Sequence, residues 1–267
     1  MRSITGHYEK NYKAVKFSHQ VPGSWDELDS KQFARIIQVL HYNKADEHTI
    51  AVSLLALLFG KDGWHILDNL PDEDRYSLVP LTNFIRDVKP PVYNPFPNLK
   101  IHKRWCAAPA QDLSNMSFGE WCFAFQFYTY YKLTNDSIWV NKLIACLYRP
   151  ADLSQDKESP EYTGDVREAF NENLIDSRAK RIASIPEHFR LGVLAWFTLA
   201  VQTVMEARPL VFPVNEIDQQ ETIEDPEQTP EIDSRTWLTV FRELLGPKWG
   251  TTNRLKHTNA MFVLDAL

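Results

Sequence analysis

The stretch from Asp112 to Pro150, DLSNMSFGEWCFAFQFYTYYKLTNDSIWVNKLIACLYRP, constrains the fold more than any other part of the chain. Ser117 followed by Glu120 has the spacing of a capping box. In that motif each side chain satisfies a backbone N–H that the first helical turn leaves unpaired. Met116 before the cap and Trp121 at the fourth helical position can close a hydrophobic staple. Trp121, Phe125 and Tyr128 then recur on one helical face. Phe123, Phe127, Tyr130 and Tyr131 fall elsewhere on the circumference. The expected helix is therefore buried on several sides, or offers one aromatic face to an apolar partner. A second apolar helix follows from Ile138 to Leu147, and Arg149 sits favourably near its C-terminal dipole.

A similar order occurs earlier, from Ser24 to Gly60. Asp29 and Gln32 have capping-box spacing, Leu28 and Phe33 staple spacing, and Phe33, Ile36, Ile37 and Leu40 form an amphipathic stripe. Asp29 to Ser117 is a step of 88 residues, and the same step carries Gln32 to Glu120 and Phe33 to Trp121. It also carries Ile50 to Ile138 and Leu55 to Leu143, so the second helix keeps the register. A third helix is expected from Leu70-Pro71-Asp72, with Leu78, Leu81, Phe84 and Ile85 buried. Its counterpart, from Ile185-Pro186-Glu187, lies 115 residues on, which implies an insertion. Short strands are expected at Tyr12–Phe17 and around Leu99 and Ile101. The fold class expected is mainly α: a bundle-like body built from a duplicated strand–helix–helix–helix unit.

The expected boundaries are 1–90 for the first repeat and 91–213 for the second, with an insertion over 150–184 that holds a helix at Val166–Ser184. Residues 214–234 carry eight acidic side chains and no basic one, with few bulky apolar residues, and read as a disordered linker. Residues 235–267 form a C-terminal helical segment. In it Trp237, Val240, Phe241, Leu244 and Leu245 share one helical face. Met261, Phe262, Leu264 and Leu267 either pack back on the body or bind something else.

Without the acidic stretch the formal net charge of −6 becomes +2, so no field that would steer nucleic acid is expected. Arg178, Lys180, Arg181 and Arg190 make a short basic patch without stacking aromatics, which argues against a nucleic-acid partner. The N-terminus is polar, and the apolar runs Ile50–Phe59 and Leu191–Val204 are short or interrupted. Neither a secretory signal nor a membrane partner is expected. Cys122 and Cys146 sit in apolar helices and read as small buried hydrophobes, in keeping with a reducing compartment. GxGxxG, GxxxxGK and HExxH are all absent from the sequence. His102 and Cys106 are four apart with no further ligand motif, and His41, His48 and His65 share no face. No catalytic residue, metal or cofactor is expected.

Three segments carry a family resemblance: Leu113-Ser114-Asn115-Met116-Ser117-Phe118-Gly119-Glu120, then Leu143 to Pro150, then Arg167-Glu168-Ala169-Phe170-Asn171. Together with a Trp-led helix and the ending Met261 to Leu267, they resemble a protein type of tailed phages and prophages of Bacteroidetes. Such proteins look like tail assembly chaperones, helical proteins that coat the apolar tape-measure protein before the tail tube polymerises. The resemblance implies a non-enzymatic role in the host cytoplasm, with the tape-measure and tail tube proteins as partners. Self-association is a separate option. The alternatives are a virion component, such as a connector or tail completion protein, and an enzyme with an unrecognised site. The residues expected to meet a partner are Trp121, Phe125, Tyr128, Met261, Phe262 and Leu264.

Overall fold

The computed structural model describes residues 1–10, 12–42, 44–90, 93–152, 158, 164–212 and 237–267. The chain is mainly helical, with a few short strands in two small sheets. The acidic stretch Val214–Ser234, expected as a linker, lies outside the described residues. The fold divides into two compact units, Met1–Pro95 with Pro186–Trp196, and Phe96–Ile185 with Phe197–Leu267.

The first unit opens on an antiparallel hairpin of β1 (Arg2–Lys10) and β2 (Lys13–Val21). Only the second strand was legible from sequence, and it is longer than Tyr12–Phe17. β1 carries just Ile4 and Tyr8 as large apolar residues, with Gly6 between them. Gly6 stands opposite Phe17, and a Cβ there would lie 2.7 Å from that ring. The glycine lets the aromatic ring cover the neighbouring strand. Tyr8 packs on His65 at 5.7 Å, and Phe17 and His19 pack on Phe59 at 6.2 and 5.9 Å.

Helix α1 (Ser30–His41) has the expected capping box: the Lys31 and Gln32 amides donate to Asp29, and the Asp29 amide donates to Gln32 Oε1 at 3.2 Å. Helix α2 (Glu47–Phe59) buries Ala51, Leu54, Leu55, Ala56, Leu58 and Phe59, which makes it the centre of the unit, as its all-round apolar sequence predicts. Gly60, at φ 77°, ends it. A 3-10 turn at Gly60–Asp62 then leads into α3 (Gly63–Asn69). The whole path Glu47–Asn69 is long and apolar enough, by length and composition, to cross a membrane. That is a longer span than the run Ile50–Phe59 implied. Leu54, Leu58, Ile66 and Leu67 of this path are buried within the unit, whereas Trp64 is exposed.

Gly63 presses directly on the carbonyl of Ala56, so a Cβ at that position would overlap backbone. Gly63→Ala is therefore expected to destabilise the protein by about 1–3 kcal/mol, as overpacking does. Urea unfolding would read this as a lowered midpoint at unchanged slope.

The third helix is interrupted. α4 (Asp72–Leu78), a 3-10 turn at Val79–Thr82 and α5 (Asn83–Asp87) replace it. Pro80 is the reason: it has no N–H to donate and its ring crowds the preceding turn. Of the expected stripe only Ile85 is buried, while Leu78, Leu81 and Phe84 are half-buried.

In the second unit β3 (Asn98–Ile101), β4 (Arg104–Ala107) and β5 (Arg149–Pro150) form an antiparallel sheet in that order. His102 and Lys103, at φ 45° and 72°, make the two-residue turn between β3 and β4, as a tight primed hairpin requires. α6 (Phe118–Thr134) is central and packs against α7 (Ser137–Leu147). α8 (Ile175–Ile182) packs on α7. α9 (Glu187–Glu206) belongs to the first unit through Trp196 and to the second from Phe197. α10 (Trp237–Glu243), α11 (Thr252–His257) and α12 (Ala260–Asp265) all pack on α6. The C-terminal segment thus folds back on its own body. The helix expected over Val166–Ser184 is shorter: a 3-10 turn at Glu172–Leu174 precedes α8, and Arg167 bridges to Ala151 in extended form.

Candidate functional site

The C-terminal segment reaches the first turn of α6 by backbone pairing. The Phe118 amide donates to Thr258 O at 2.7 Å, and the Ala260 amide donates to Met116 O at 2.8 Å. Asn259 caps α12 and also donates from Nδ2 to Ser114 O at 2.7 Å. Ala260, Val263 and Leu264 are buried, so α12 is seated on one face. Arg208 Nε to Asp265 at 2.7 Å holds its end. Phe262 points the other way and is 63% exposed; Leu267 is 49% exposed.

Beneath this seat lies a cluster of buried charges. Ser117 caps α6 as expected, accepting from the Glu120 amide at 3.3 Å. The second half of the capping box does not form, because the Glu120 carboxylate is fully buried and taken by two arginines. Arg167 Nη1 lies 2.6 Å from Glu120 Oε1, and Arg149 Nη2 lies 2.9 Å from Oε2. Asp165 closes the group, with Arg167 Nε at 2.7 Å and Arg149 Nη2 at 3.2 Å. Arg167 Nη1 also donates to Leu147 O at 2.7 Å. Arg149 is therefore not a helix-dipole residue: it stands in β5, opposite Ala107, with its side chain turned inward.

The two guanidiniums differ electrostatically. Burial lowers the Arg149 pKa, and attraction to Glu120 only partly offsets this. Burial also acts on Arg167, but Glu120 and Asp165 outweigh it and hold its pKa above the usual value. Geometry explains the contrast. Arg167 spreads all of its nitrogens over two carboxylates and a carbonyl, whereas Arg149 Nε is buried with no hydrogen-bond partner among the described residues.

A polar cleft of about 210 Å³ opens beside the cluster, lined by Asn115, Asp152, Phe170, His257 and Asn259 among others. A carboxylate whose oxygens both accept from guanidiniums is poorly placed to accept a proton from a substrate. The cluster joins α6, β5 and the loop before α8 rather than presenting a base and nucleophile. Among the described residues, no three His, Cys, Asp or Glu side chains gather as a metal site. Cys106, Cys122 and Cys146 are buried free thiols, all pushed up in pKa by burial.

The residues expected to meet a partner are placed unevenly. Trp121 is fully buried, with ring neighbours Phe125 at 5.6 Å, Trp237 at 6.2 Å and Phe212 at 6.4 Å. Phe125 and Tyr128 are half-buried, and Tyr128 packs on Phe197 at 5.9 Å. Leu264 is buried, Met261 half-buried, and Phe262 is the open one. Trp121, Phe125 and Tyr128 share an aromatic cluster on α6; Met261, Phe262 and Leu264 sit together on α12. Comparison with protein-family models, with curated proteins and with solved structures returned no match.

Proposed function

We propose that this protein acts by binding, as a tail assembly chaperone whose client is the tape-measure protein of a tailed phage. The observation that carries this reading is α12. Its inner face is locked to α6 while Phe262 stands open beside Trp249, whose ring lies 6.0 Å away. A seated helix offering a rigid aromatic suits recognition of an apolar helical client, because little side-chain entropy is lost on binding. The family resemblance at Leu113–Glu120, Leu143–Pro150 and Met261–Leu267 supplies the client's identity. The host cytoplasm is the compartment that follows, and tail tube subunits are the second partner.

The body is read as an internal duplication. Supporting this, each half runs hairpin, capped helix, apolar helix, and α1 and α6 begin at Ser30 and Phe118, with caps Asp29 and Ser117. Caps Asp46 and Asp136 open the apolar helices α2 and α7. The loss of the reciprocal capping bond at Glu120 then marks the second copy's divergence toward its charge cluster.

The test is co-expression with the tape-measure protein of the same genome. Co-purification and a rise in client solubility are expected. Phe262→Ala should weaken capture roughly tenfold or more, as loss of an aromatic anchor does, while leaving the melting temperature unchanged. No co-purification, or stoichiometric retention in mature particles, would reverse the reading in favour of no such client or of a permanent virion component.

A further inference from the structure

A second cleft in the unit Phe96–Ile185 with Phe197–Leu267 has a different character. It has a volume of about 280 Å³ and lies between the β3–β4–β5 sheet and α8. Its floor is apolar: Ile101, Cys106, Tyr148 and Ile182 are each at most 7% exposed. Its rim carries Arg104 from β4, and Arg178 and Arg181 from successive turns of α8. The acidic lining residue is Glu168, which pairs with Arg178 at 2.8 Å. The Glu168 amide also donates to Pro150 O at 2.8 Å, so this pair is fixed to the sheet. Arg104 and Arg181 have no ion-pair partner among the described residues.

Arg181 has one ordinary explanation, since a cation in the last turn of a helix favours the dipole. That does not reach Arg104, which stands on a strand and meets the same cleft from the opposite wall. Among the described lining residues, three guanidiniums facing one carboxylate leave an excess of two positive charges over an apolar floor. The charges reach the floor itself: burial pushes the Cys106 thiol up, Arg178 and Arg104 act against that push, and Glu168 adds to it. Tyr148 contributes no free hydroxyl to the pocket, because its Oη donates to Phe96 O at 2.7 Å.

From this geometry we infer that the cleft is a binding site for a small organic anion, with a carboxylate or phosphate head held by Arg104 and Arg181 and a short apolar body on the floor. Guanidiniums match oxyanions by paired N–H donors. The volume sits at the lower end of small-molecule sites, which limits the body to a short chain or single ring. The inference stands apart from the client-binding reading, because α12 contributes nothing to this cleft.

Calorimetric titration of the full chain with hexyl phosphate, hexanoate and inorganic phosphate at fixed ionic strength tests it. Saturable binding of the two organic anions is expected, tighter than inorganic phosphate. Arg104→Met and Arg181→Met should each weaken binding about tenfold or more, the loss expected for a charge-assisted contact. Both side chains are exposed, so the variants should keep the parent melting temperature, and a melting curve checks this. Ile182→Ser separates the floor from the rim: it should weaken hexanoate and leave inorganic phosphate unchanged. Three results would overturn the assignment. They are absence of saturable binding, equal affinity for organic and inorganic anions, and binding that survives both arginine substitutions.

Discussion

Arg167→Met is expected to destabilise the protein by about 3–5 kcal/mol, because it leaves the buried Glu120 carboxylate without its main partner. The desolvation cost of Glu120 is borne in the folded state whether or not the arginine is present; only the compensating attraction disappears. Arg167 is the harder loss of the two arginines, since its nitrogens reach Glu120, Asp165 and Leu147 O. Arg149→Met should cost less, about 1–3 kcal/mol. Among the described residues Arg149 Nε already has no partner, and Arg167 would still hold Glu120. Adding Glu120→Gln to Arg167→Met removes the stranded charge, so the double variant should recover part of the loss. The coupling is read from a double-mutant cycle in urea. High salt should change these differences little, because buried pairs are poorly screened. If Arg167→Met shifts stability by less than about 1 kcal/mol, the cluster is solvated and behaves as a surface pair.

This cluster also shows where sequence reasoning stops. Ser117 and Glu120 satisfied a local rule, and the rule was half right: Ser117 caps α6. The Glu120 carboxylate was claimed by Arg149 and Arg167, distant in the chain, and nothing in a four-residue spacing can announce that. A weaker signal was present. A glutamate within FGEWCFAF and an arginine closing LIACLYRP both sit in runs otherwise apolar, where an unpaired charge would be costly. Reading the two together with Arg167 as mutual partners was open from composition alone, though no geometry would have fixed it.

Local features were legible where local physics decides them. Asp29 and Gln32 form their capping box, Gly60 ends α2, and the all-round apolar α2 lies at the centre of its unit. Strand β1 was not legible because Phe17, across the hairpin, covers Gly6 where an apolar side chain of its own would otherwise mark the strand. The third helix is shorter than its apolar spacing predicts because Pro80 interrupts it. Similarly, Val166–Asn171, part of the helix expected over Val166–Ser184, is not helical, because Arg167 is held extended by Asp165 and Glu120. For β1 and for Arg167 the deciding contact, with Phe17 or with Glu120, lies outside the window in which periodicity is read; for the third helix it is Pro80, inside that window.

Trp121→Ala is expected to cost about 3–5 kcal/mol, the range for removing a buried aromatic. The indole fills space among Phe125, Phe212 and Trp237, and that volume cannot close without moving α10 against α6. Trp121→Phe separates packing from polarity. Trp121 Nε1 is buried with no hydrogen-bond partner among the described residues, so phenylalanine sheds an unsatisfied donor along with part of the ring. Its cost should fall well below that of alanine, by about 2 kcal/mol or more. The comparison bears on function as well as stability. If Trp121 serves the core, Trp121→Phe will leave client capture unchanged, while the exposed Phe262→Ala will impair capture with a stability change within about 0.5 kcal/mol. If instead Trp121→Phe weakens capture and Phe262→Ala does not, the aromatic face of α6 must become available to the client. α10 and Phe212 would then have to leave that face before binding, and capture would become slower as well as weaker.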